Sequence, residues 1–74
     1  MLKVGQIWRE VDPRFERFVR IEAINGAEVQ WARVRTVKKY GNVWSATPGA
    51  RVSNAQAQRF NGKRGGYELV EDVP

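Results

Sequence analysis

Trp31, Arg33 and Arg35 stand at i, i+2 and i+4. In a regular strand that spacing puts all three on one face. A ring flanked by guanidinium groups is a platform on which a nucleobase stacks while the cations meet phosphates. A second group surrounds the dipeptide Gly41-Asn42: Lys38, Lys39, Tyr40, Trp44 and, after one more turn, Arg51. Two aromatics and two lysines near a hairpin tip could grip a strand of nucleic acid, each stacked base contributing ~1–3 kcal/mol. Both groups also have a plainer reading. Trp31 is a core residue if the strand bends just after it. Tyr40 and Trp44 are a cross-strand pair, worth ~0.2–1 kcal/mol, if they only brace their own hairpin.

Charge ties the two groups together. Residues 1–28 balance five bases with five acids, and residues 68–74 carry three acids. Between them, residues 29–67 hold Arg33, Arg35, Lys38, Lys39, Arg51, Arg59, Lys63 and Arg64 and no acid. Such a segment attracts polyanions or an acidic protein surface, unless it is simply a solvated basic surface. Arg59, Lys63 and Arg64 are the natural third edge of the patch. Arg14 and Arg17 either extend it or pair with Glu10 and Glu16.

Catalysis fits the composition poorly. The chain has no Cys and no His. Disulfides, thiolate chemistry, Cys/His zinc sites and Ser–His or Cys–His nucleophiles are thereby excluded. Glu10 with Asp12 and Glu71 with Asp72 are the nearest carboxylate pairs, and both lie in charged, solvated segments where nothing raises a pKa toward 7. Gly65-Gly66 beside Lys63-Arg64 lacks the spacing and the Ser/Thr of a phosphate-binding loop. The expectation is a non-enzymatic binding module with no metal and no cofactor.

The elements that position these residues read as mostly β. Residues 4–9 form a first strand, broken by Asp12-Pro13-Arg14, because proline lacks the N–H a ladder needs. Residues 10–17 form a charged loop. Residues 18–24 alternate, with Val19, Ile21 and Ala23 on one face and Arg20 and Glu22 on the other. Asn25-Gly26 is a strong local hairpin signal before a strand over residues 27–37. A two-residue turn there opposes Ile21 to Gln30 and Arg20 to Trp31. A three-residue bulged loop opposes Ile21 to Val29 and Val19 to Trp31, which keeps the apolar residues together and is preferred. The change of parity between Val29/Trp31 and Ala32/Val34 calls for a bulge or bend near Trp31-Ala32.

A second hairpin turns at Gly41-Asn42, and Thr47-Pro48-Gly49 makes another turn. Residues 51–53 are a short strand, and Ser53 caps a helical turn reaching Arg59. Residues 67–70 are the last strand, with Tyr67 and Leu69 inward and Trp8 and Phe60 structural. Seventy-four residues suffice for one domain, over 1–74, with a thin core. No apolar run has the length of a signal peptide or a membrane helix. The expected setting is the cytoplasm of a bacterial host cell.

This order of elements resembles SH3-like barrels of the KOW, Tudor and PWWP groups, in which a long loop follows the first strand and a helical turn precedes the last. The opening Gly5-Gln6-Ile7-Trp8-Arg9 is similar to the start of many such domains. Together with Asp12-Pro13-Arg14, Val19-Arg20-Ile21, Arg59-Phe60 and Gly66-Tyr67-Glu68-Leu69-Val70, it also resembles a group of small phage and bacterial domains without an established activity. That likeness spans nearly the whole chain except residues 38–50. It implies a small five-stranded bent barrel and a phage or bacterial origin, and it transfers no functional residue.

Three functions follow. The first is sequence-tolerant nucleic-acid binding through Trp31, Arg33, Arg35, Lys38, Lys39, Tyr40, Trp44, Arg51 and Arg64. The second is docking on a host protein, as a phage-encoded accessory factor or inhibitor. The third is an aromatic cage for a cation built from Trp8, Tyr40 or Trp44, which a basic face opposes.

Overall fold

Alternating apolar residues and frequent turn signals give this chain strands and almost no helix. The computed structural model describes residues 2–26 and 31–74. The strands are β1 (Ile7–Glu10), β2 (Phe18–Asn25), β3 (Trp31–Tyr40), β4 (Val43–Ser45), β5 (Val52–Gln56) and β6 (Tyr67–Glu71), with a single 3₁₀ turn at Ala57–Arg59. All pairings are antiparallel, in the order β4-β3-β2-β1-β6, and β5 also pairs β3. The long strand β3 is the hub. One edge pairs β2, while the other is shared by β5 along residues 31–35 and by β4 along residues 38–40.

The all-β expectation holds, with two differences. Among the described residues there are six strands rather than five, because the return arm of the Gly41-Asn42 hairpin is a strand of its own. Among the described residues the end strands do not pair with each other, so the ladder does not close.

The inward face gathers Trp8, Val19, Ile21, Ala32, Val34, Ala55 and Tyr67, with Leu2, Ile24 and Phe60 packed against them. The Trp8 ring meets Phe60 edge-on at 5.0 Å, and Phe60 stacks on Tyr67 at 5.1 Å. Buried Gln6 accepts the indole N–H of Trp8 at 3.1 Å and donates to Asp72 Oδ1 at 2.8 Å, tying the two ends of the chain together. The radius of gyration, 11.6 Å, matches the ~11 Å of a well-packed chain of this length.

Neither register expected at Asn25-Gly26 forms. Asn25 itself pairs with Trp31, and Ile21 pairs with Val34. The expectations placed on Val29 and Gln30 lie outside the described residues. The physical reason is cumulative: one register seats Ile21 beside Val34 with both fully buried, and that outweighs a local turn preference.

The bulge is also elsewhere than expected. Ile21 faces Val34 and Ala23 faces Arg33, so Glu22 is the extra residue and the irregularity lies in β2. β3 keeps one register against β5 from Trp31 to Arg35 and is unbroken at Trp31-Ala32.

Residues 54–56, expected to be helical, are strand. Gln56 rather than Ser53 precedes the 3₁₀ turn, and no side chain caps it. Leu69, expected inside with Tyr67, stays 44% exposed on the end strand β6. The Gly41-Asn42 hairpin forms as expected, with Tyr40 opposite Val43 and Gly41 at φ 61°, as a two-residue primed turn requires.

Candidate nucleic-acid interface

Because β3 is regular, its odd-numbered residues share a face. The burial alternates along residues 31–34: Trp31 exposed, Ala32 buried, Arg33 exposed, Val34 buried. Trp31 is 42% exposed, so the core reading of this ring fails. The outward row continues to half-buried Arg35 and is interrupted at Val37, which is buried; Lys39 lies on the same parity beyond it. Registry adds neighbours on the same face. Trp31 lies between Asn25 on β2 and Gln56 on β5, Arg33 between Ala23 and Asn54, and Arg35 between Arg20 and Val52.

Arg20 and Arg35 are thus directly opposed like charges, an arrangement that by itself destabilises a sheet. The bulged Glu22 resolves it. Its carboxylate accepts from Arg35 Nε at 2.9 Å and from Arg20 Nη2 at 3.2 Å. The Arg35 bond, ahead of that from Arg20, holds the Glu22 carboxyl below its ordinary value of 4.5, against the opposing effect of burial. A carboxylate with a lowered pKa stabilises the fold above its unfolded pKa, and the contribution fades as pH falls through the folded value.

Glu22→Gln is therefore expected to cost about 0.5–1 kcal/mol at neutral pH, a modest figure because all three side chains keep solvent access. The gap to the parent should narrow below about pH 4.5. Urea titrations at pH 7 and pH 3 test this. A gap that stays constant or widens in acid would remove Glu22 from this role.

The other cations divide by their partners. Arg9 pairs with Glu68, Arg14 with Asp12 at 2.7 Å, and Arg59 approaches Glu10 at 3.9 Å. The Arg14 side-chain bond, then its backbone N–H, lowers the Asp12 pKa to about 2, with Arg64 adding a smaller effect. By contrast, Arg33, Lys38, Lys39, Arg51 and Arg64 form no ion pair among the described residues. Arg51 stands opposite Thr36, whose N–H donates to the Arg51 carbonyl at 3.0 Å, so it is one step out of phase with Trp31, Arg33 and Arg35. Arg64 lies instead toward Asp12 and the β1–β2 loop, away from the row on β3.

The hairpin aromatics part company. Tyr40 is 53% exposed at the tip. Trp44 faces Lys39, not Tyr40. Its ring packs on Phe18 at 4.9 Å, Lys39 Nζ sits 5.6 Å from its centroid, and its indole N–H donates to Glu71. Trp44 thus pins the hairpin over the β1–β2–β6 surface and is not a free platform. The cation cage is not assembled, since Trp8 is in the core, apart from Tyr40 and Trp44.

Two hollows border the face. One, of about 260 Å³, is lined by Trp31, Gln56, Ala57 and Gln58. The other, of about 430 Å³, runs between residues 16–18 and 36–39, with Lys38, Lys39 and Arg17 at its walls. Arg17 Nε is buried there without a partner among the described residues.

No protein-family model, curated protein or solved structure matches this chain.

The nine residues expected to bind are not one patch. Trp31, Arg33 and Arg35 form the outward row of β3, Lys39 lies on the same parity beyond buried Val37, Arg51 stands opposite Thr36 and out of phase with the row, Lys38 and Tyr40 point from the hairpin, Trp44 is structural and Arg64 stands apart. The expectation omitted Asn54, Gln56 and Gln58. Their signal was present as a period of two, with polar residues at 54, 56 and 58 and small ones at 53, 55 and 57.

Proposed function

We propose that this chain is an SH3-like barrel acting as a non-enzymatic module that binds nucleic acid with little sequence preference. The barrel reading is supported by the strand order β6-β1-β2-β3-β5, the long loop after β1 and the 3₁₀ turn before β6. The β4 hairpin falls in the stretch where the resemblance to small phage and bacterial domains lapses, and a bacterial or phage cytoplasmic setting accords with that resemblance.

One observation carries the function. An exposed Trp31 ring stands in line with Arg33, which pairs with no acid among the described residues, on a face continued by Arg35. Phosphate contacts from such a row supply affinity without reading sequence.

The test is binding of a labelled oligonucleotide as salt is raised. Three to five phosphates neutralised imply a slope of log K against log salt of about −2 to −4, or a loss of about 15- to 250-fold between 50 and 200 mM. Glu22→Gln should bind more tightly than the parent, because it releases Arg35. No binding at low salt would end the proposal. Capture of a protein partner that survives nuclease treatment, in place of oligonucleotide binding, would move the function to protein docking.

A further inference from the structure

The Trp31 end of the face differs from the rest of the basic row. Arg33 and Lys39 offer only charge. Trp31 offers a half-exposed ring with a hollow of about 260 Å³ beside it, floored by Ala57 and walled by two amides. That volume lies below the ~300–1,000 Å³ of sites for drug-sized ligands and suits one flat heterocycle. The amides are organised: Gln58 Nε2 donates to Gln56 Oε1 at 2.9 Å. This leaves the Gln56 amide N–H and the Gln58 carbonyl oxygen as a donor and an acceptor side by side. Gln56 also faces Trp31 directly across the β3–β5 ladder.

We infer that this end takes one unstacked nucleobase from a single strand, with the base on the Trp31 ring, its edge on the Gln56–Gln58 amides and the neighbouring phosphate on Arg33. The inference rests on the nucleic-acid reading above and narrows it to single-stranded ligands. In a duplex both faces of each base are already stacked and its pairing edge is occupied, so the ring and the amides have nothing to engage. Charge alone predicts the opposite preference. A duplex carries more phosphates per length than a single strand, and a purely electrostatic face binds it more tightly.

The experiment compares a short labelled oligonucleotide as a single strand and annealed to its complement, in DNA and RNA forms, by fluorescence anisotropy at low salt. Wild type, Trp31→Ala and Arg33→Glu are measured, with a thermal melt of each variant as a check on folding. The expected result is a single-strand preference of tenfold or so in either sugar form. Trp31→Ala should reduce single-strand affinity about 5- to 150-fold, as loss of one base stack does, and leave duplex binding nearly unchanged. Arg33→Glu should weaken both. Gln56→Ala should flatten any difference among homopolymeric single strands.

Equal or tighter binding of duplex, with Trp31→Ala indistinguishable from wild type and Arg33→Glu still weakened, would overturn the inference while leaving a charge-based nucleic-acid module standing. Absence of binding to every oligonucleotide would overturn both.

Discussion

Trp8→Ala is expected to lower the unfolding free energy by about 3–5 kcal/mol. A domain of this length has only about 4–11 kcal/mol in total, so the loss takes between about a quarter of the stability and all of it. The effect is large because Trp8 joins two systems. Its ring is the edge-on partner of Phe60, which stacks on Tyr67, and it closes the inward face beside Val19. Its indole N–H is held by buried Gln6, which also accepts from Lys3 N and donates to Asp72. Truncation opens a cavity and removes a donor from a buried amide in one step. Trp8→Phe keeps most of the ring and loses the N–H, for an expected cost of about 1–2 kcal/mol. Urea unfolding of both variants measures the two contributions. A Trp8→Ala midpoint close to the parent's would show that the core closes without this ring.

Gly66→Ala should cost about 1–3 kcal/mol, although the added group is one methyl. A Cβ at Gly66 would overlap the Arg59 carbonyl oxygen and come within 2.8 Å of Asn61 Oδ1. The obstacle is backbone, which cannot swing away as a side-chain tip does. Gly66 leads directly into β6, and its carbonyl accepts from Val11 N at 3.1 Å. Any shift is therefore passed to the start of β6 and to Arg59, whose guanidinium lies 4.8 Å from the Tyr67 ring. At about 4–8 °C per kcal/mol for a domain of this size, the melting temperature should fall by roughly 4–24 °C. Oligonucleotide binding by the folded fraction should persist, because the β3–β5 face is not touched. A melt unchanged from the parent would mean that the 57–66 loop adapts freely.

The two substitutions act on opposite kinds of legibility. Trp8 was readable as structural from its place in Gly5-Gln6-Ile7-Trp8-Arg9. Gly66 was readable as half of the Gly65-Gly66 pair beside Lys63-Arg64, and its tight approach to Arg59 depends on how the 3₁₀ turn folds back on β6. The outward row of β3 was half legible. The spacing of Trp31, Arg33 and Arg35 placed them together if the strand was regular, but whether it was regular could not be read there. The apparent parity change pointed to a bend at Trp31-Ala32, whereas the extra residue is Glu22 on the partner strand. Trp44 looked like a binding residue and proved to be the hairpin's anchor, because Phe18 and Glu71, its partners, are far away in sequence.

The sequence by itself determined the all-β character, the strand over residues 18–24, the Gly41-Asn42 hairpin, the exclusion of Cys and His chemistry and the acid-free stretch over residues 29–67. These follow from composition and from periodicities a few residues long. Only the tertiary structure decided the β2–β3 register, the Glu22 bulge between Arg20 and Arg35, the extension of the 51–53 strand as far as Gln56 and the resulting placement of Gln56 beside Trp31. Each of those depends on burial summed along paired strands, and a register that seats Val19, Ile21, Ala32 and Val34 together outweighs any single local turn or capping preference.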